Sequence, residues 1–131
     1  MDRLFLDANV LFSAVYRPAA GLLQLWKLQD VKLCSSRYAL EEARVNLTED
    51  DQQKRLSRLT EKVQLFEAAG RELPRGVSLP EKDLPILLAA IEARCTHLLT
   101  GDVRHIGLYF GKKIEGVTII LPGDYLRNRR T

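Results

Sequence analysis

Leu4-Phe5-Leu6-Asp7-Ala8-Asn9-Val10-Leu11 is the stretch that decides the fold. Three apolar residues in succession, stopped by an acid, read as a short strand buried on both faces, the kind found inside a parallel sheet. An aspartate directly behind such a strand is drawn into low-dielectric surroundings, where a bare charge is costly. Asp7 therefore either ends the strand and caps the turn at Asn9, or serves chemistry.

Working outward, Ala19 to Gln29 carries Leu22, Leu23, Leu25, Trp26 and Leu28 as a helical stripe, which places Trp26 in the core. Val31 to Ser35 reads as a second strand. Ser36 is placed to cap a helix through Tyr38, Leu40, Val45 and Leu47, with Glu41 and Glu42 in its early turns. From Thr48 to Gly70, Leu56, Leu59, Val63 and Phe66 recur at helical spacing, which predicts a long amphipathic helix with acids at its start and Gly70 as its C-cap. Arg71 to Pro80 reads as a loop. A nearly all-apolar helix opens at Asp83, with Pro85 in its first turn. His97 to Thr100 is a third strand, followed by the turn Gly101-Asp102, and Val117 to Leu121 is a fourth, rich in β-branched residues. Tyr125 lies near the start of a short last helix, and Arg127 to Arg130 form a basic, mobile tail.

Strands alternating with helices predict an α/β fold of three layers, α/β/α, with a central, mostly parallel sheet of four to five strands. The 131 residues fit one domain, and no repeat or linker interrupts them. At 46% hydrophobic and 28% charged the composition is that of a globular protein with a core, and no apolar run is long enough to span a membrane. Met-Asp-Arg runs straight into the first strand and leaves no room for a secretory signal, so a cytoplasmic location is the expectation. Cys34 and Cys95 read as small buried hydrophobes without chemistry.

Four carboxylates stand beside these elements: Asp7 after the first strand, Glu42 in the helix after the second, Asp83 at the start of the apolar helix, and Asp102 after the third strand. Singly, each has a plain explanation. Asp83 can be an N-cap, Asp102 a turn residue, and Glu41 and Glu42 solvated helix positions. Jointly they point elsewhere, because functional groups of a parallel sheet gather beyond the carboxyl ends of its strands. Clustered carboxylates repel unless a cation lies between them. Oxygen ligands without histidine or thiolate suit hard cations such as Mg²⁺ and Mn²⁺, which orient a water, lower its pKa and stabilise charge on an attacked phosphate. The net charge of +3 sharpens this, since metal neutralising four of the 17 acids would leave about seven positive charges on the rest of the surface. A basic protein around an acidic pocket suits a polyanionic substrate.

At these residues the chain resembles the PIN-domain nucleases. The matching segments are Phe5 to Leu11, Ser36 through Glu42 to Leu47, Leu79-Pro80-Glu81-Lys82-Asp83 with the helix behind it, and Leu98-Leu99-Thr100-Gly101-Asp102. It is most similar to the small stand-alone members that are toxin components of toxin–antitoxin pairs, the VapC-like group. The resemblance implies a ribonuclease dependent on Mg²⁺ or Mn²⁺, with Asp7, Glu42, Asp83 and Asp102 as catalytic and metal-binding acids. Glu41 is the fallback for Glu42, and Asn9 and Thr100 are supporting polar groups. It also implies an antitoxin partner that masks the pocket with a basic side chain, and a homodimer, for which the Thr48–Gly70 helix is the candidate element. Many members carry a further acid shortly after the fourth. Here Val103-Arg104-His105 follows instead, which weakens the case for a second metal. Arg104 and His105 are candidate substrate contacts, with Lys112, Lys113, Arg17 and Arg37 as further phosphate-binding candidates. A haloacid-dehalogenase-type phosphatase fits less well, because Asn9 stands where that family needs its second aspartate. The alternative of another class is a PIN-like binding or scaffolding module with a weak catalytic site.

Overall fold

The computed structural model describes residues 1–17, 21–67, 76–79 and 83–129, with backbone alone at 103 and 105. Its strands are β1 (Asp2–Leu6), β2 (Val31–Ser36), β3 (Gln64–Phe66), β4 (His97–Leu99), β5 (Lys113–Ile114) and β6 (Val117–Ile120). Its helices are α1 (Ala8–Tyr16), α2 (Arg37–Val45), α3 (Asp50–Thr60), α4 (Leu84–Glu92), the single turn α5 (Val103–Ile106) and α6 (Pro122–Asn128). The sheet order is β3-β2-β1-β4-β6-β5, with every pair parallel except β5–β6. Helices cover both faces.

β1 is the centre of this arrangement. Leu4, Phe5 and Leu6 are fully buried, as an uninterrupted apolar strand between two parallel neighbours requires. The chain runs from β1 outward through β2 to β3, then returns to place β4 on the other side of β1. That reversal makes the carboxyl ends of β1 and β4 the topological switch point of the sheet, where the crossovers part and leave a crevice.

The sheet has six strands rather than four to five, and both additions have identifiable causes. The expected helix from Thr48 to Gly70 is cut in two. α3 ends at Thr60, whose hydroxyl donates to the carbonyls of Leu56 and Ser57, while the Trp26 indole takes the Leu59 carbonyl at 2.9 Å. The amides of Lys62 and Val63 then bond the carbonyls of Leu59 and Thr60, three residues back, in a turn, and β3 pairs along β2 instead. Val63 and Phe66 continued the helical spacing only by coincidence; Gly70 lies outside the described residues. β5 is two residues long, too short to show as a pattern. The loop Glu115-Gly116 has positive φ at both positions, +45° and +87°, the signature of a tight two-residue hairpin.

Three smaller expectations also change. The stripe before β2 forms a six-residue 3₁₀ helix, Leu22–Lys27, and Trp26 is half-buried against the core. The apolar face of α3, offered above as a dimer element, turns Leu56 and Leu59 onto the core. Arg127 belongs to α6, and Arg129 is anchored to Asp30 and Tyr125 rather than mobile. Cys34 and Cys95 are buried free thiols, as expected, but they are neighbours. The hydrogen bond from Cys95 draws the Cys34 thiol below its ordinary value, and Cys95 is pushed up in turn. Among the described residues no helix is long and apolar enough to cross a membrane.

Candidate active site

The switch point is built from the β1–β4 pair. Leu6 is in register with Leu99, and the Asp7 amide extends the ladder by donating to the Leu99 carbonyl at 3.1 Å. This sets Asp7 beside Thr100 immediately beyond the strands. Asp7 then turns the chain into α1, with its Oδ1 accepting from the Ala8 amide at 2.6 Å. Its Oδ2 accepts from the Thr100 hydroxyl at 2.7 Å and the Asn9 amide at 3.0 Å. Asn9 also receives the Gly101 amide at 2.8 Å, and the Thr100 hydroxyl receives the Asp102 amide at 3.1 Å. Asn9 and Thr100 thus hold the ends of β1 and β4 together and fix the orientation of Asp7.

Asp7 is 4% exposed, and the donors Ala8, Asn9 and Thr100 are all neutral. Burial raises its pKa above the ordinary carboxylate value. The negative charges of Asp83 and Asp102 push the same way, against the hydrogen bonds from Thr100 and Ala8. Asp83 occupies the N-cap position of α4 but gives that helix no side-chain cap, and it is buried. Its plain explanation as a capping residue therefore fails. Glu42 is half-buried on α2, which packs against α1. Glu41 is exposed and pairs with Arg44, whereas Glu42 lines the cleft. Asp102 opens α5, its carbonyl accepting from the Ile106 amide at 3.1 Å.

Asp7, Glu42, Asp83 and Asp102 line one cleft of about 370 Å³, together with Ala8, Asn9, Phe12, Ala43 and Asn46. The four acids scattered through the sequence therefore meet. Tyr38 was not foreseen. Burial raises its pKa, and the charges of Glu42, Asp83 and Asp7 raise it further, which places it in the same field. Tyr38, Glu42 and Asn46 are spaced by four, as are Ala8 and Phe12, so the helical period supplied the missing signal once Glu42 and Asp7 were chosen. Arg104 is exposed on α5; the His105 side chain lies outside the described residues. Arg17, Lys112 and Lys113 are exposed, and Arg37 pairs with Glu67 at 2.7 Å.

The donor set fits a hard divalent cation in kind, being carboxylate oxygen throughout. Among the described residues no three such side chains converge closely enough to grip an ion directly. The two facts agree for a cation that keeps several of its waters and touches the protein through one or two carboxylates.

The family model of the PIN domain matches residues 3–104, which takes in every one of these segments. The chain belongs to the PIN domain family. A chain from the crystal structure of VapBC2 from Rickettsia felis, bound to a DNA fragment from the promoter, shares the fold with a TM-score of 0.68. It is 15% identical, and the match covers 89% of this chain and 96% of that one. No curated protein matches the sequence. β5, β6 and α6 lie beyond the last matched residue.

Proposed function

We propose that this PIN-domain protein is a metal-dependent nuclease that hydrolyses phosphodiester bonds in RNA, and that it is the toxin of a toxin–antitoxin pair. The observation that carries the proposal is the meeting of Asp7, Glu42, Asp83 and Asp102 around one cleft, with Asp7 among neutral donors and its pKa raised first by burial and further by the charges of Asp83 and Asp102. Such an arrangement is costly without a cation and favourable with one. Asp7 and Asp83, the most buried of the four, would hold Mg²⁺ or Mn²⁺, with Glu42 and Asp102 reaching it directly or through water. When bound, the cation would supply an activated water and stabilise charge on the phosphate. The chain's own contribution is orientation. Thr100 and Asn9 fix the Asp7 carboxylate, and the Asp102 amide is tied to the same Thr100 hydroxyl. Glu42 and Asp102, less buried than Asp7, are suited to positioning or accepting a proton from the attacking water.

The antitoxin part rests on the likeness to a chain of the VapBC2 complex. A small partner that inserts a basic side chain among these carboxylates would replace the cation's charge and block the cleft. Pairing of two copies would have to use a surface other than the apolar face of α3. The second reading, a binding module without catalysis, draws on the absence of a direct three-ligand grip among the described residues. Cleavage of labelled RNAs and single-stranded DNAs with Mg²⁺, Mn²⁺ or EDTA separates the two. The expected result is metal-dependent cutting of RNA that falls at least about a hundredfold in Asp7→Ala, because several kcal/mol of charge stabilisation depends on the cation. Equal cutting by the variant would overturn the site. No cutting by wild type with any metal would favour the binding module.

A further inference from the structure

An acidic cleft repels a nucleic acid everywhere except at the phosphate a cation holds, so the strand needs an anchor outside it. α1 offers one. Phe12 lines the cleft one turn beyond Ala8, and Tyr16 lies a further turn along the same helix face. The two rings are stacked, with centroids 5.1 Å apart and planes inclined by 15°. Phe12 is half-buried against the core, whereas Tyr16 is 53% exposed. The stack thus begins inside the cleft and ends in solvent, about 6 Å of helix per step. Cationic groups stand at its outer end. Arg17 follows Tyr16 and is exposed, and the Arg55 guanidinium donates to the Val15 carbonyl at 2.6 Å.

We propose that Phe12 and Tyr16 form a base-stacking subsite, in which an unpaired base of single-stranded RNA lies on the outer face of Tyr16 while Arg17 and Arg55 attract the adjoining phosphates. The inference rests on the nuclease reading and adds to it that the substrate is single-stranded beside the scissile bond. Three features favour RNA over a protein partner. The track is continuous with the carboxylate cleft, its rings are already nearly parallel as a base stack requires, and positive charge lies at the end away from the acids. Stacking on an aromatic ring tolerates any base, so the subsite would supply affinity without sequence readout.

The test uses a short single-stranded RNA carrying 2-aminopurine, whose fluorescence falls on stacking, with Asp7→Asn protein so that the strand stays intact. Replacing Tyr16 by alanine in that background should weaken binding about tenfold and abolish the quenching. Replacing it by tryptophan should preserve both. An abasic strand of the same length should bind the tyrosine and alanine forms equally, and loss of the same size with single-stranded DNA would place the contact on the base and support the subsite. Unchanged affinity and quenching in Tyr16→Ala, or an equal loss with the abasic strand, would overturn it, as would a change in sedimentation of the protein alone in place of a binding defect. If Tyr16→Ala cuts and binds RNA like wild type, only the stacking subsite falls. If wild type neither cuts nor binds RNA, the nuclease reading falls with it.

Discussion

β1 carries an aspartate at each end, and the molecule treats them in opposite ways. Asp2, at the amino edge of the sheet, accepts the Tyr125 hydroxyl at 2.6 Å, and Arg129 lies 3.9 Å away. Arg129 also pairs with Asp30 just before β2, and that pairing holds the Asp30 carboxyl below its ordinary range. Around them Thr96 exchanges hydrogen bonds with both the amide and the carbonyl of Arg3, and Arg3 reaches the Ala93 carbonyl at 2.9 Å. Charge at this edge is matched, and the matching ties α6 to β1 and β2. At the carboxyl edge Asp7 has only neutral donors, and burial first and then the acidic neighbours Asp83 and Asp102 move its pKa up. The amino edge closes the fold; the carboxyl edge is left with an electrostatic deficit that a ligand can fill. That asymmetry sets the acids around Asp2, matched by Arg129 and Tyr125, apart from the buried Asp7 and its acidic neighbours.

Asp7→Asn breaks the comparison most strongly, because it removes the deficit and keeps the side-chain shape. Asp7 holds its proton more tightly folded than unfolded. Its stabilising contribution is therefore complete below the ordinary pKa of 3.8 and drains away as pH rises through the raised folded value. Without metal, the melting temperature of Asp7→Asn relative to wild type should climb as pH goes from about 3 to 7. With Mg²⁺ or Mn²⁺ the order should reverse at neutral pH. Wild type gains about 2.7 kcal/mol at a hundredfold excess over Kd, and the variant gains far less. Calorimetric melts with and without EDTA measure both. Parallel pH curves for the two proteins would mean that Asp7 is as comfortably paired as Asp2.

At the amino edge the corresponding change is Tyr125→Phe, with a smaller effect. The hydroxyl is shared between Asp2 and Arg129, and the ring meets His97 edge-on at 5.0 Å. Phenylalanine keeps the ring contact and loses the hydrogen bonds, at about 1 kcal/mol. Burial foremost, and then the bond to Asp2, push the Tyr125 pKa up to about 12. Its stabilisation is thus intact below the unfolded value of 10.0 and lost as pH rises through about 12. Denaturant melts between neutral pH and pH 11 should show wild type losing stability that Tyr125→Phe never had. RNA cleavage should be unaffected, since Tyr125 is at the opposite end of β1.

Where the sequence was legible, one element left a local mark. The apolar triplet before Asp7, the Ser36 cap (which receives the Ala39 amide at 3.0 Å), and the Pro85 helix start all lie where their chemistry put them. The carboxylate set was legible because each acid borders an element that the parallel fold brings to one edge. β3 was not legible. Val63 and Phe66 satisfy the helical and the strand pattern alike, and what decides between them is the pairing of Gln64 to Phe66 along β2, a partner distant in sequence. Tyr38 and Tyr16 were legible only as tyrosines able to stack on bases, because an aromatic on a helix has no place in a site until another residue of the cleft is chosen. The amino-edge network was equally hidden, since Asp2, Asp30 and Arg129 are scattered charges until the sheet aligns them.

Glu41 and Glu42 give the finest form of the comparison, two adjacent acids on one helix with opposite surroundings. The exposed Glu41 faces Arg44 one turn on, whereas Glu42 turns into the cleft beside Asn46. An exposed ion pair of this kind contributes little to stability and nothing to a site it does not face. Glu41→Gln should leave both cleavage and melting temperature at the wild-type level. Glu42→Gln should lower cleavage at least tenfold at limiting metal, with partial recovery as metal is raised, because one carboxylate fewer weakens cation binding without emptying the site. Titrating Mn²⁺ into both variants while following RNA cleavage separates them. If the glutamine at 41 costs activity and the one at 42 does not, α2 presents its other face to the substrate and the cleft is bounded by a different set of acids.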